Sequence, residues 1–292
     1  MQAGGQGFDP PSLHASGNGQ SEMTGRFFFK IGIMTENPAL QDFLEYSDAL
    51  AHSASEHPDV VGLVLVGSAA DTSRVDEWSD HDFFLVVKIG SGEAFRADLS
   101  WLPNHEEVVI ASRETAHGLK VVYRNGHVLE FAVFEDPELE LASVNYWEVP
   151  VDKTNITSRV QALESKTTGS PFEEEKEWGL FLALILIAVG RARRGEVLIA
   201  GQAIRSYYLK HVIGFVRDRR KPVPGTEGLE DNLDRFRRFE KQYPIEAARI
   251  ESILQLPVED SAREQLDFVL GLGGFTQEQL EQAAVVRSRL GW

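Results

Sequence analysis

Three acidic residues and one hydroxyl stand at spacings that suit metal-assisted phosphoryl chemistry. In residues 63–87, LVLVGSAADTSRVDEWSDHDFFLVV, a β-branched run delivers Gly67-Ser68, a loop follows, and Asp80-His81-Asp82 leads into a second apolar run. Residues two apart on a strand share a face with Cα atoms roughly 6.5–7 Å apart, so Asp80 and Asp82 on that strand would reach one cation together. Magnesium takes hard oxygen ligands, commonly one or two carboxylates, and completes its octahedron with water and substrate phosphates. Gly67 suits a turn where backbone approaches a phosphate closely, and Ser68 offers a hydroxyl and an amide as donors.

Transfer at phosphorus depends mainly on in-line positioning and charge stabilisation, and it gains from a base that takes the acceptor proton. A third carboxylate is therefore expected near the aspartates. Glu130 is the candidate, because it interrupts the apolar run VLEFAVF at 128–134, where a charge is costly without a partner. Two magnesium ions roughly 3.5–4 Å apart would be held by Asp80 and Asp82, with Glu130 either ligating one or serving as base. Each piece alone has a plainer reading: Gly-Ser as an ordinary turn, the aspartates as turn residues at a strand start, Glu130 on the wet side of a hairpin. Their occurrence in this order is what favours the joint site.

Positioning those groups requires a sheet. Residues 59–66 (DVVGLVLV) and 83–87 (FFLVV) have the length and composition of buried strands, and 107–111 and 119–123 read as further strands. Asn125-Gly126 between 119–123 and 128–134 predicts a β-hairpin. Ahead of them, apolar residues over 37–57 recur at near-helical spacing. Past Pro150 the periodicity becomes helical, with predicted helices over 172–194, ending at Gly195, then 197–217, 229–243, 245–254, 261–272 and 277–290. The expected class is α+β: a catalytic domain over 35–150 with a small mixed sheet flanked by helices, and a helical bundle over 151–292 binding substrate or nucleotide. Residues 1–34, rich at the start in Gly, Ser, Gln and Pro, read as a disordered extension, with Met23 and Met34 as alternative starts.

At 292 residues the chain suits two domains, given roughly 100–200 residues for each. A net charge of -16 disfavours nucleic acid, whose binding draws on cations that neutralise phosphates, and suits cationic small molecules. The absence of cysteine removes thiolate nucleophiles and cysteine-held zinc, and is compatible with a reducing cytoplasm. The most apolar run, LFLALILIAV at 180–189, has about half the roughly 20 residues that a membrane span needs, so it reads as a core helix and no membrane partner is expected. Trp178 at its start either stacks on a sugar ring or belongs to the core.

The order Gly67-Ser68, Asp80-x-Asp82, then a strand acid resembles the DNA polymerase beta nucleotidyltransferase superfamily. The helical half, with Arg194-Gly195-Glu196, Ile204-Arg205 and FRRFE at 236–240, resembles aminoglycoside nucleotidyltransferases. The resemblance implies that Gly67 and Ser68 contact a nucleoside triphosphate, that Asp80 and Asp82 bind magnesium, and that Glu130 is the third carboxylate and general base. It implies phosphate-clamping cations from the helical half, for which Arg205 and Lys210 are the candidates. The implied activity is transfer of a nucleoside monophosphate, AMP from ATP, to a hydroxyl of a small acceptor such as an aminoglycoside-like compound. A silent nucleotide-binding or toxin-neutralising module and a protein-modifying transferase are the alternatives. Two positions depart from the family pattern: Ala69-Ala70 follow the Gly-Ser, with Arg74 the nearest arginine, and His81 stands where an apolar residue is usual. On a strand His81 faces away from the aspartates, which suits packing or hydrogen bonding better than ligation. Glu135, Asp136, Glu138 and Glu140 either line an acidic acceptor pocket or form a solvated loop.

Overall fold

A computed structural model describes residues 38–144, 146–166, 172–227, 229 and 234–292. The expected disordered extension lies outside the described residues. Contacts divide the chain into two compact units, between Thr168 and Gly169.

In the first unit, helix α1 (Pro38–Glu56) precedes strands β1 (Val60–Val66) and β2 (His81–Val87). Helix α2 (Gly92–Ala97), strands β3 (Val108–Arg113), β4 (Gly118–Tyr123), β5 (Val128–Glu135) and β6 (Trp147–Asp152), and helix α3 (Ile156–Lys166) follow. The strands form one six-stranded sheet ordered β3-β4-β5-β2-β1-β6. Only the central β2–β5 pair is parallel; its neighbours are antiparallel, so the sheet is mixed and the α+β class holds.

Alternation along the strands sorts two cores. Odd-numbered residues of β2 and β5, such as Phe83, Leu85 and Phe131, pack with α1 and with Phe95 and Trp101 on one face. Even-numbered residues, such as Val86 and Phe134, meet Leu139 and the α3 residues Ile156 and Val160 on the other. Burying about 1.5–3 kcal/mol of transfer free energy per large apolar side chain on both faces is what holds the central strands in place. The hairpin expected at Asn125-Gly126 forms: Gly126 takes φ +89°, a left-handed value open to glycine, and Tyr123 N donates to His127 O at 2.9 Å.

The seam of the chain lies later than the expected change near Pro150. Strand β6 pairs with β1, and α3 covers the sheet, so both belong to the first unit. β6 was not among the expected strands. Its alternating Trp147, Val149 and Val151 were the signal, and an edge strand tolerates a proline.

The second unit is helical: α4 (Glu174–Arg193), α5 (Val197–Gln202), α6 (Leu209–Arg219), α7 (Phe239–Gln242), α8 (Pro244–Leu254), α9 (Val258–Gly271) and α10 (Gln277–Leu290). Gly195 at φ +85° ends α4, with Gly195 N donating to Ala192 O and Glu196 N to Arg191 O. That pair of bonds is the Schellman arrangement, which satisfies carbonyls the helix end leaves open. The helix expected over 197–217 is instead interrupted by a wider π turn at Ala203–Tyr207. Of the helix expected over 229–243, the described residues form only α7; residues 228 and 230–233 lie outside them. Trp178 is 1% exposed, with its ring 4.6 Å from that of Phe275, so it belongs to the core and is not a sugar platform. Among the described residues, no helix is long and apolar enough to cross a membrane.

Candidate metal and nucleotide site

The register of the central strands builds the site. Parallel pairing sets Asp82 of β2 beside Glu130 of β5, and antiparallel pairing sets Val66 of β1 beside Asp82 on the other flank. Residues paired directly in a sheet share a face. Asp82 and Glu130 therefore project on the face of Phe84, Val86 and Phe134, at the end of the strands where β2 begins. Asp80 stands one residue ahead of β2 rather than within it, yet it joins them. A carboxylate oxygen from each of Asp80, Asp82 and Glu130 lies within 4.8 Å of the others, and all three residues are half-buried. Hard oxygens gathered this closely are the donor set a magnesium ion takes, though its octahedron would draw them closer together.

The Gly-Ser turn completes this end of the sheet. Gly67 adopts φ +61° and opens a short 3-10 turn, Gly67–Ala69. A Cβ at Gly67 would lie 3.0 Å from Asp82 Oδ2, so only glycine leaves that carboxylate its position. Ser68 Oγ donates to the carbonyl of Asp80 at 3.2 Å, tying the turn to the loop that carries the first aspartate. Arg74 folds back onto the same turn: Nη2 donates to Gly67 O at 3.1 Å, Nε pairs with Asp71, and the guanidinium lies 4.1 Å from the Tyr146 ring. Arg74, six positions beyond Ser68, thus braces the backbone of Gly67.

His81 occupies the opposite face. It is fully buried and stacks on Phe43 at 3.7 Å between ring centroids. Its Nε2 lies 3.1 Å from the Phe43 carbonyl and 2.9 Å from Ser47 Oγ, and its Nδ1 lies 2.8 Å from His127 Nε2. Since a carbonyl only accepts, Nε2 of His81 carries the proton and Nδ1 accepts from His127. Burial, with His127 adding to it, pushes the His81 pKa down to about 3. Both ring nitrogens are committed, so His81 supports the strand start and does not ligate.

One group that the sequence reading passed over stands in the site. Lys120 of β4 pairs in register with Glu130, and its Nζ lies 3.4 Å from Glu130 Oε2 and 3.1 Å from Glu114 Oε1. The hydrogen bond to Glu114, with the charge of Glu130 adding to it, raises the lysine pKa above its ordinary value. Asn125-Gly126 taken as a two-residue turn would set 121 opposite 130; the loop is instead the three residues 124–126, closed by Tyr123 N donating to His127 O, and that one-residue shift brings Lys120 opposite Glu130.

Arg205 and Lys210 belong to the second unit. Arg205 donates from Nε to Leu254 O at 3.1 Å and from Nη2 to Leu256 O at 3.0 Å, serving carbonyls at and just past the end of α8. Lys210 is exposed on α6. The acids after Glu130 are structural: Glu135 and Glu138 form a reciprocal cap, and Asp136 and Glu140 pair with Arg159 of α3. They behave as the paired surface loop and not as a pocket wall.

No protein-family model matches the chain, and comparison with curated proteins finds no match. Among solved structures, the chain resembles an aminoglycoside 6-adenyltransferase from Bacillus subtilis at 12% identity, covering 86% of this chain and 92% of that one with a TM-score of 0.29. It also resembles a nucleotidyltransferase-like protein from Exiguobacterium sibiricum at 11% identity, covering 83% and 77%, with a TM-score of 0.33. A third is a STING-associated CdnE c-di-GMP synthase from Capnocytophaga granulosa, at 11% identity over 87% and 82%, with a TM-score of 0.28. At such identities and TM-scores, what this chain does is decided by its own acids and not by these neighbours.

Proposed function

We propose that the chain is a magnesium-dependent nucleotidyltransferase that moves a nucleoside monophosphate, AMP from ATP, onto a hydroxyl of a small acceptor. The observation that carries this reading is the convergence of Asp80, Asp82 and Glu130 within 4.8 Å, beside the Gly67-Ser68 turn. A stability role does not account for three half-buried carboxylates in one place, since like charges so close repel.

Asp80 and Asp82 would hold the metal, and Ser68 would turn its hydroxyl from the Asp80 carbonyl to a triphosphate oxygen. Bound magnesium would offset the charge that develops on the α-phosphate and on the departing pyrophosphate. Glu130 accepts the proton of the acceptor hydroxyl; the bond from acceptor oxygen to the α-phosphorus forms as the bond to the bridging oxygen of the β-phosphate breaks. The net charge of -16 suits a cationic acceptor, an aminoglycoside-like compound among them.

The test is calorimetry with a non-hydrolysable ATP analogue, with and without magnesium, on the wild type and Asp82→Asn, followed by pyrophosphate release across a panel of aminoglycosides. Magnesium-dependent binding that Asp82→Asn abolishes, with release on at least one acceptor, supports the reading. Equal binding by the two proteins removes the metal assignment. Nucleotide binding with no release on any acceptor, protein acceptors included, favours a silent nucleotide-binding module.

A further inference from the structure

Lys120 contacts the acidic trio at Glu130. Its side chain is 42% exposed, and exposed ion pairs contribute little to folding, typically below about 1 kcal/mol. Stability alone therefore gives little reason for a lysine at this position. Its placement is nonetheless well defined: the β4–β5 register sets it opposite Glu130, and Glu114 holds the ammonium from a second side at 3.1 Å. The ammonium lies 3.4 Å from Glu130 Oε2 and so already supplies positive charge to that carboxylate. A divalent ion on that side would approach a fixed positive charge within a few ångströms, and such repulsion far exceeds thermal energy even at the effective dielectric of a protein surface.

We propose that Lys120 is a positioning residue that stands in for a second metal ion at the Glu130 side of the trio. The nucleotide-free protein then holds one divalent ion, between Asp80 and Asp82, and any second ion arrives with the triphosphate. Lys120 also holds the Glu130 carboxylate in place from the β4 side. This inference rests on the metal centre proposed above.

Manganese substitutes for magnesium and is counted directly by electron paramagnetic resonance. Titration of the nucleotide-free full chain with Mn2+ is expected to give one site in the wild type and in Lys120→Arg, and none in Asp82→Asn. Lys120→Met is expected to gain a second site, or to bind the first at least about tenfold more tightly, as loss of a nearby like charge requires. Circular dichroism confirms that each variant is folded, and Lys120→Arg separates charge from mere occupancy. Two ions in the wild type, or a Lys120→Met titration identical to wild type in number and affinity, overturns the role of the lysine while leaving the metal centre standing. No Mn2+ binding by the wild type at millimolar concentration removes both.

Discussion

Gly67→Ala tests the link between backbone and metal site most sharply. An L-residue held at φ +61° costs roughly 1–2 kcal/mol relative to glycine, which visits that region freely. For a unit of this size that corresponds to a fall in melting temperature of roughly 2–8 °C per kcal/mol. The new Cβ would also stand 3.0 Å from Asp82 Oδ2, with the other near atoms of Asp82 at 3.8 Å. The carboxylate must give by a few tenths of an ångström, and it is the far end of a flexible side chain. Displacing one ligand oxygen against the glycine turn should weaken divalent binding by about tenfold, near 1.4 kcal/mol. The assay pairs a thermal melt with Mn2+ titration of the folded variant. Wild-type Mn2+ affinity in Gly67→Ala would refute the claim that this glycine exists to leave Asp82 its place.

Ser68→Ala is expected to raise KM for the triphosphate about 10–100-fold, the range for losing one hydrogen bond to a charged group, while leaving Mn2+ binding intact; steady-state kinetics of pyrophosphate release report it. For His81 the folded pKa of about 3 lies below the unfolded value of about 6.5, so between those values the unfolded chain binds a proton that the folded chain does not. Stability is thus full above about pH 6.5 and falls as pH drops toward 3, by up to about 1.4 kcal/mol per pH unit for this group. His127 and His211, also shifted downward by burial, act in the same direction. Denaturant titrations across pH should show the slope, and His81→Leu should flatten it by up to one proton while lowering stability at neutral pH. Arg159→Ala, which frees Asp136 and Glu140 and unties α3 from the segment after β5, should cost about 1–3 kcal/mol in the same titrations.

Much of the site was legible because its signals are local. A strand reads from its run of β-branched residues, the β4–β5 hairpin from Asn125-Gly126, and the end of α4 from Gly195. The order of Gly67, Ser68, Asp80, Asp82 and Glu130 is likewise carried by residue type and spacing. Other features were hidden for identifiable reasons. Strand β6 pairs with β1 as an edge strand whose proline masks its alternation. The π turn at Ala203–Tyr207 breaks a helix in a stretch with no glycine or proline at the break to announce it. Arg205 reads as a free cation along the chain, yet in space it serves the carbonyls of Leu254 and Leu256.

The chain by itself determined which chemistry is available: hard oxygen donors, a hydroxyl on a glycine turn, no thiol, and strands to carry them. What only tertiary structure decided is which of these meet. The parallel pairing of β2 with β5 sets Asp82 beside Glu130 across 48 positions of sequence, with β3 and β4 intervening. It follows from burying both faces of the central strands at once, under α1 on one side and α3 on the other. Periodicity states that a strand has a buried face; it does not name the strand that will lie beside it, because that choice is settled by the packing of the whole sheet.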